Sequence, residues 1–386
     1  MTLATRHSSD YLAFVRKPGA IPELDGLRAI AVLLVLARHI FRPLQERDPD
    51  MMVAFGYDFA TPFVNGWVGV DLFFVLSGFL ISRHLLSRHR QGRTVDMGAY
   101  LGARALRILP AYFAVLGLVL VGAFPFYAPE VGLRSVLVHL SIMQDYLGSD
   151  IVVAFWSLGV EEKFYLCAPL IVLVAALSNG AMRYALLIAL VLLPTILRTM
   201  TLAGGADIGS YLALFQNFRS PFHLTFDGLA IGTLVAFLQA DGVIRRLGAL
   251  PRHAILAIAL AALACLMLRA PMMAQIDAFD ATLQPLLIAL AFGGILVVVL
   301  DREGQAGWLG ARPLFVIAIL SYTLYLVHMP LIPLATVIAI AFGGAFQPMI
   351  FGIAVLALSF MAALLIHFGV EKPFLILKDM RASQAK

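Results

Sequence analysis

Residues 23–40 read ELDGLRAIAVLLVLARHI, an apolar run in which Arg28 and His39 stand where hydrocarbon tolerates neither. About 20 mostly apolar residues cross a bilayer as a helix. An ionisable group inside such a span costs about 2.5–3.5 kcal/mol on insertion scales, so it usually faces a polar interior and marks function. Arg28 and His39 are eleven residues apart. At 100° per residue that is three turns plus about 20°, so both project from one helical face, roughly 16 Å apart along the axis. Asp25, just ahead of the apolar run, reads as an N-cap. Alone, the segment equally suits a snorkelling arginine and a hydrogen-bonded packing histidine.

The rest of the chain repeats the pattern. Of 386 residues 61% are hydrophobic and 13% charged, against about 45–50% and about 25% in ordinary globular chains. Lipid is therefore the solvent for much of the surface. The expectation is an all-α, polytopic transmembrane bundle of about ten spans, near 27–42, 63–82, 108–124, 156–177, 184–203, 220–240, 253–269, 283–300, 314–336 and 347–369. The apolar stretch 131–143 is too short to cross and reads as a re-entrant or interfacial helix. Cys167 and Cys265 lie in apolar runs without metal-ligand spacing and read as small core residues. No metal site is expected. The net charge of +5 comes from scattered basic residues rather than an aromatic-interleaved stripe, which excludes nucleic acid as a partner.

Orientation follows from Lys and Arg in the connections. With the N-terminus inside, 20 of the 28 basic residues fall in cytoplasmic segments, among them Arg6, Lys17, Arg90, Arg183, Arg302 and Lys386. Both termini are then cytoplasmic. The expected organisation is a lead-in over 1–21, one transmembrane domain over 22–374 and a tail over 375–386, without repeats or a soluble appendage.

Further ionisable groups within spans concentrate in the first half. Asp71 and Ser77 sit in GWVGVDLFFVLSGFLIS, where Asp71 is either a site residue or a cap. Arg104 and Arg107, three apart, share one face at a helix start. They are either a positive-inside anchor or a guanidinium pair that grips phosphate. In WSLGVEEKFY, Glu161 shares a face with Leu158 and Tyr165 while Glu162 turns away. SYTLYLVHMPL carries Tyr322, Tyr325 and His328. The second half has few ionisable groups: His223 and Asp227 in the sixth span, His328 in the ninth and His367 in the tenth.

Taken in order, these segments resemble the acyltransferase 3 family of membrane O-acyltransferases. The pieces are LDGLRAIAVLLVLARH with its Arg-x10-His spacing, GWVGVDLFFVLSGFLIS, the R-x-x-R of GARALR, WSLGVEEKFY, SYTLYLVHMPL and EKPF. The resemblance covers about 22–374 and departs from the family at Arg38, where members commonly carry an apolar residue. It implies an acyl-CoA donor, acetyl-CoA most often, as co-substrate with no bound cofactor. It also implies a hydroxyl acceptor on a sugar, glycolipid or polysaccharide, and a bacterial inner membrane as the location. His39 becomes the essential histidine, with Arg28, Arg104 and Arg107 as donor-phosphate groups. Glu161 or Asp71 would orient the imidazole; Ser77, Trp156, Tyr322 and His328 are supporting candidates. The roughly 16 Å between Arg28 and His39 matches the reach of a pantetheine arm. His39 would act as general base, or carry the acyl group itself. The competing classes are a secondary transporter or flippase, disfavoured by the lack of a repeat, and a signalling scaffold. The oligomeric state is left open.

Overall fold

The computed structural model describes residues 11–16, 19–54, 57–269, 276–301 and 307–384. Arg6, Lys17, Arg302 and Lys386 of the charge count lie outside them. Among the described residues the helices of eight residues or more are α1 (Pro22–Arg47), α2 (Val68–Arg90), α3 (Met97–Leu120), α4 (Leu133–Leu140), α5 (Trp156–Leu177), α6 (Gly180–Ala203), α7 (Asp227–Ala240), α8 (Ala249–Leu268), α9 (Gln284–Asp301), α10 (Arg312–Phe342), α11 (Gln347–Ile366) and α12 (Lys372–Gln384). The only strands described are a two-residue antiparallel pair, Val53–Ala54 with Tyr57–Asp58.

Seven helical stretches are long and apolar enough to cross a membrane: Thr61–Arg90, Met97–Leu120, Gly180–Ala203, Ala249–Leu268, Gln284–Asp301, Arg312–Phe342 and Gly344–Arg381. The expected ten are therefore not all established. The helices α1 and α5 are long, at 26 and 22 residues, but charged groups interrupt their apolar runs. The stretch 220–240 breaks at Phe226, between a short turn of helix over Phe222–Thr225 and the 14-residue α7. Leu170, Leu177, Ile258 and Leu365 are 66–72% exposed, a surface that only lipid covers without penalty. Cys167 and Cys265 lie on that exposed surface, not in the core. In α4, Leu133, Leu137 and Leu140 are exposed along one side while Val138 and His139 are buried. This multi-pass membrane protein thus presents apolar side chains outward and polar ones inward.

One local expectation changes. The helix α1 starts at Pro22, with Ile21 at the N-cap, because proline suits the first turn. Asp25 instead lies within that turn and pairs with Arg16 at 2.9 Å. Asp227, one of the few ionisable groups of the second half, is paired. Arg198, fully buried, donates to both of its carboxylate oxygens at 2.7 and 2.9 Å and to the carbonyls of Thr282 and Leu224. Basic residues from separate connections also converge. Arg90 and Arg183 both bind Asp241, so connections assigned to one side of the membrane meet at one end of the bundle.

Glycines let the central helices touch. A Cβ on Gly69 of α2 would lie 2.3 Å from the Ala31 carbonyl oxygen of α1. One on Gly232 of α7 would lie 2.1 Å from the Val75 carbonyl oxygen and 2.5 Å from the Phe79 nitrogen of α2. Small residues at such crossings allow backbone-to-backbone packing in lipid. This brings α2 against α1 in antiparallel fashion and sets Val70, Phe73 and Ser77 around the space that Arg28 borders. Gly117 of α3 has nothing within 4 Å of a built Cβ. Gly232→Ala should lower stability by about 1–3 kcal/mol through overpacking, whereas Gly117→Ala should be neutral or stabilising by up to about 1 kcal/mol. Thermal unfolding of the detergent-solubilised variants checks the contrast.

Candidate active site

Two cavities lie along α1, separated by a shared wall. The first, of about 110 Å³, is lined by Arg28 of α1, Ser77 of α2, Arg104 and Arg107 of α3, Glu161 and Tyr165 of α5, and Tyr322 of α10. Such a space holds several water-sized groups. Leu158, Glu161 and Tyr165 line it together, as their spacing on one helical face requires, and Glu162 is absent from the lining. Glu161 accepts hydrogen bonds from Ser77 at 2.9 Å and Tyr165 at 3.0 Å. Tyr322 donates to the Ile108 carbonyl at 2.8 Å. The Arg104 guanidinium lies 5.7 and 5.6 Å from the ring centres of Tyr100 and Tyr165. Among the described residues, none of Arg28, Arg104 and Arg107 forms an ion pair with a carboxylate. Three guanidinium groups therefore converge on one space whose single carboxylate is already engaged by two hydroxyls.

The second cavity, of about 70 Å³, is lined by Val35, Arg38 and His39 of α1, with Trp67, Trp156, Tyr211, Phe215, Arg219 and Met329. Val70 and Tyr325 border both cavities. Tyr325 donates to the Ala154 carbonyl at 2.8 Å and shares a 2.7 Å hydrogen bond with Ser157, which fixes the wall between them. Arg28 and His39 thus open into adjoining compartments, as two residues on one face of one helix would.

Nδ1 of His39 lies 2.8 Å from the Val35 carbonyl oxygen. A carbonyl only accepts, so Nδ1 carries the proton and Nε2 presents its lone pair. The helix is locally loosened here: Pro43 has no N–H for the His39 carbonyl one turn back. His328, fully buried, meets the His39 ring edge-on with centroids 4.8 Å apart. Its own Nδ1 is held by the Tyr325 carbonyl at 2.8 Å, and its Nε2 has no hydrogen-bond partner among the described residues.

The expected carboxylate partners of His39 are elsewhere. Glu161 is in the arginine cavity. Asp71 receives both terminal nitrogens of Arg219 at 3.1 Å each. Trp156 stands over the same guanidinium at 5.9 Å, and Trp67 at 4.8 Å. Arg219 was not singled out from the sequence, nor were Tyr211 and Phe215. All three come from the connection after α6, where a π-turn over Phe215–Arg219 aims side chains inward. One signal was available: Arg38, Arg42 and Arg219 fall at the end that the positive-inside rule leaves poor in arginine.

With this geometry in view, comparison with known proteins is decisive on one point. The acyltransferase domain family matches residues 21–368. This chain belongs to the acyltransferase 3 family. Among curated proteins, it is 27% identical over 363 residues to the peptidoglycan O-acetyltransferase OatA of Listeria monocytogenes, covering 87% of this chain and 52% of that one. It is 26% identical over 371 residues to the putative peptidoglycan O-acetyltransferase YrhL of Bacillus subtilis, covering 92% and 54%. The O-acetyltransferase OatA of Staphylococcus aureus is 29% identical over 170 residues, 40% of this chain and 25% of the relative. The chain thus spans about half the length of the two longer matches. No solved structure matches it.

The Asp71–Arg219 pair in this family member yields a stability prediction. Removing one partner of a buried pair strands a charge and costs about 3–5 kcal/mol, while replacing both is much milder. Asp71→Asn and Arg219→Gln should each lower the unfolding midpoint sharply, and the double variant should recover part of the loss. A thermal-shift double-mutant cycle measures this.

Proposed function

We propose that the chain is a membrane-bound O-acyltransferase that moves an acyl group, acetyl by analogy with the named relatives, from acyl-CoA to a carbohydrate hydroxyl. The observation that carries this reading is the adjacency of the two cavities. One holds three arginines without carboxylate partners; the next holds an imidazole with a free Nε2 lone pair. Coenzyme A has the matching shape, with phosphates at one end and a thioester at the end of a flexible arm. Arg28, Arg104 and Arg107 would grip the phosphates, since guanidinium forks suit phosphate oxygens. The arm would pass Val70 and Tyr325 and bring the thioester to His39. Both termini and the arginine cavity would face the cytoplasm of a bacterial cell, with the chain in its inner membrane.

In this mechanism Nε2 of His39 takes the proton of the acceptor hydroxyl as its oxygen attacks the thioester carbonyl. The tetrahedral adduct collapses with cleavage of the C–S bond, and the leaving thiolate takes the proton back from the imidazolium. General-base assistance of this kind contributes about 10²–10⁴-fold. The Val35 carbonyl fixes the productive tautomer. Glu161 positions Ser77 and Tyr165 along the donor's path, and Asp71 holds Arg219 at the acceptor end. His328 buttresses the His39 ring.

In purified protein, His39→Ala should cut acyl transfer by about 10²-fold or more while acyl-CoA binding persists. Arg104→Ala with Arg107→Ala should raise the Kd for acyl-CoA by about tenfold or more, each lost charge-assisted bond being worth about 1.5–3 kcal/mol. Full transfer activity in the His39 variant would refute the assignment. Substrate uptake without acyl-CoA consumption would favour a transporter instead.

A further inference from the structure

Arg38 is 4% exposed and borders the cavity beside His39. Its guanidinium donates to the Val64 carbonyl at 2.7 Å and to the Tyr211 hydroxyl at 3.2 Å, both neutral oxygens. The Tyr211 ring centre is 5.5 Å away. Among the described residues no carboxylate pairs with it. The cavity's other arginine, Arg219, is neutralised by Asp71 through two bonds. The chamber therefore keeps one uncompensated positive charge. Burying an unpaired ion costs several kcal/mol, and this chain spares its other buried arginines that cost. Arg198 and Arg219 each have an aspartate. Arg38 also has five N–H donors, of which the two bonds above use two, so three remain for a ligand.

The rest of the lining narrows the ligand. Trp67, Trp156, Tyr211 and Phe215 surround the space with flat faces of the kind on which the C–H face of a sugar ring packs. Apolar walls with a few fixed polar groups are the usual design of a small-molecule site. Resting on the acyltransferase reading above, we infer that the acceptor is an anionic carbohydrate whose carboxylate or phosphate is bound by Arg38 while a ring hydroxyl meets His39.

The experiment uses the full chain in lipid nanodiscs with acetyl-CoA and three probes: methyl glucuronide, glucose 6-phosphate and methyl glucoside. Acetyl transfer is followed by product mass. Binding is followed by tryptophan fluorescence, because two of the three tryptophans, Trp67 and Trp156, line the cavity. An anionic probe should exceed the neutral one in kcat/KM and in affinity by about tenfold or more, the worth of one charge-assisted contact. Arg38→Gln should collapse that ratio towards one, and Arg38→Lys, which keeps charge and bulk, should retain much of it. Which anionic probe leads separates carboxylate from phosphate. Equal use and equal binding of all three probes by the unaltered protein would overturn the inference. So would a loss in Arg38→Gln that is equal for every probe, since Arg38 would then serve the reaction's own oxyanion. Discriminating binding without any acetyl transfer would support the inference and refute the acyltransferase reading instead.

Discussion

A guanidinium group inside a membrane protein must be given an anion, because hydrocarbon cannot solvate it. That constraint sorts the arginines of this chain. Arg198 is matched by Asp227 and Arg219 by Asp71, each with two bonds. Arg90 and Arg183 share Asp241, and Arg252 meets Asp301. Arg28, Arg104, Arg107 and Arg38, the arginines other than Arg219 that border the two cavities, form no ion pair with a carboxylate among the described residues. On the proposed function, a substrate would supply the counter-ion that the protein withholds there. The first three suit the phosphates of a donor and the fourth the charge of an acceptor.

The scaffold serves that separation. Glycine contacts draw α1, α2 and α7 together at backbone distance, so the polar groups of α1 face other helices instead of lipid. Along α1 the two chambers follow one another, and α10 runs beside them with Tyr322 in the first and Met329 in the second. Tyr325, tied to Ser157 and the Ala154 carbonyl, stands between the arginine cavity and the His39 cavity. In the proposed reaction a charged donor head would remain near water while its acyl end reacts deep in the bundle.

Much of this was legible in the sequence because helical geometry needs no partner to be read. The 100° step places Arg28 and His39 on one face, and Leu158, Glu161 and Tyr165 on another, whatever surrounds them. What stayed hidden depends on contacts between distant segments. Nothing local pairs Asp71 with a residue 148 positions away, nor does periodicity reveal that Val35, not a carboxylate, holds His39. The count of ten spans is not confirmed for a related reason. In α1 and α5 the charges of the candidate site erode the apolar signal, and a break at Phe226 leaves the sixth stretch a helix of only 14 residues. The cysteines misled because an apolar run in lipid has an outer face as apolar as its core.

The central claim is that one donor bridges both chambers. A cryo-electron microscopy structure of the full chain with a non-transferable acyl-CoA analogue, its thioester sulfur replaced by methylene, tests it directly. The account predicts phosphate density against Arg28, Arg104 and Arg107, with the acyl carbonyl past Tyr325 and about 3–3.5 Å from where a hydroxyl on His39 Nε2 would sit. Phosphates bound away from these arginines, or an acyl end that stops short of the His39 chamber, would contradict it.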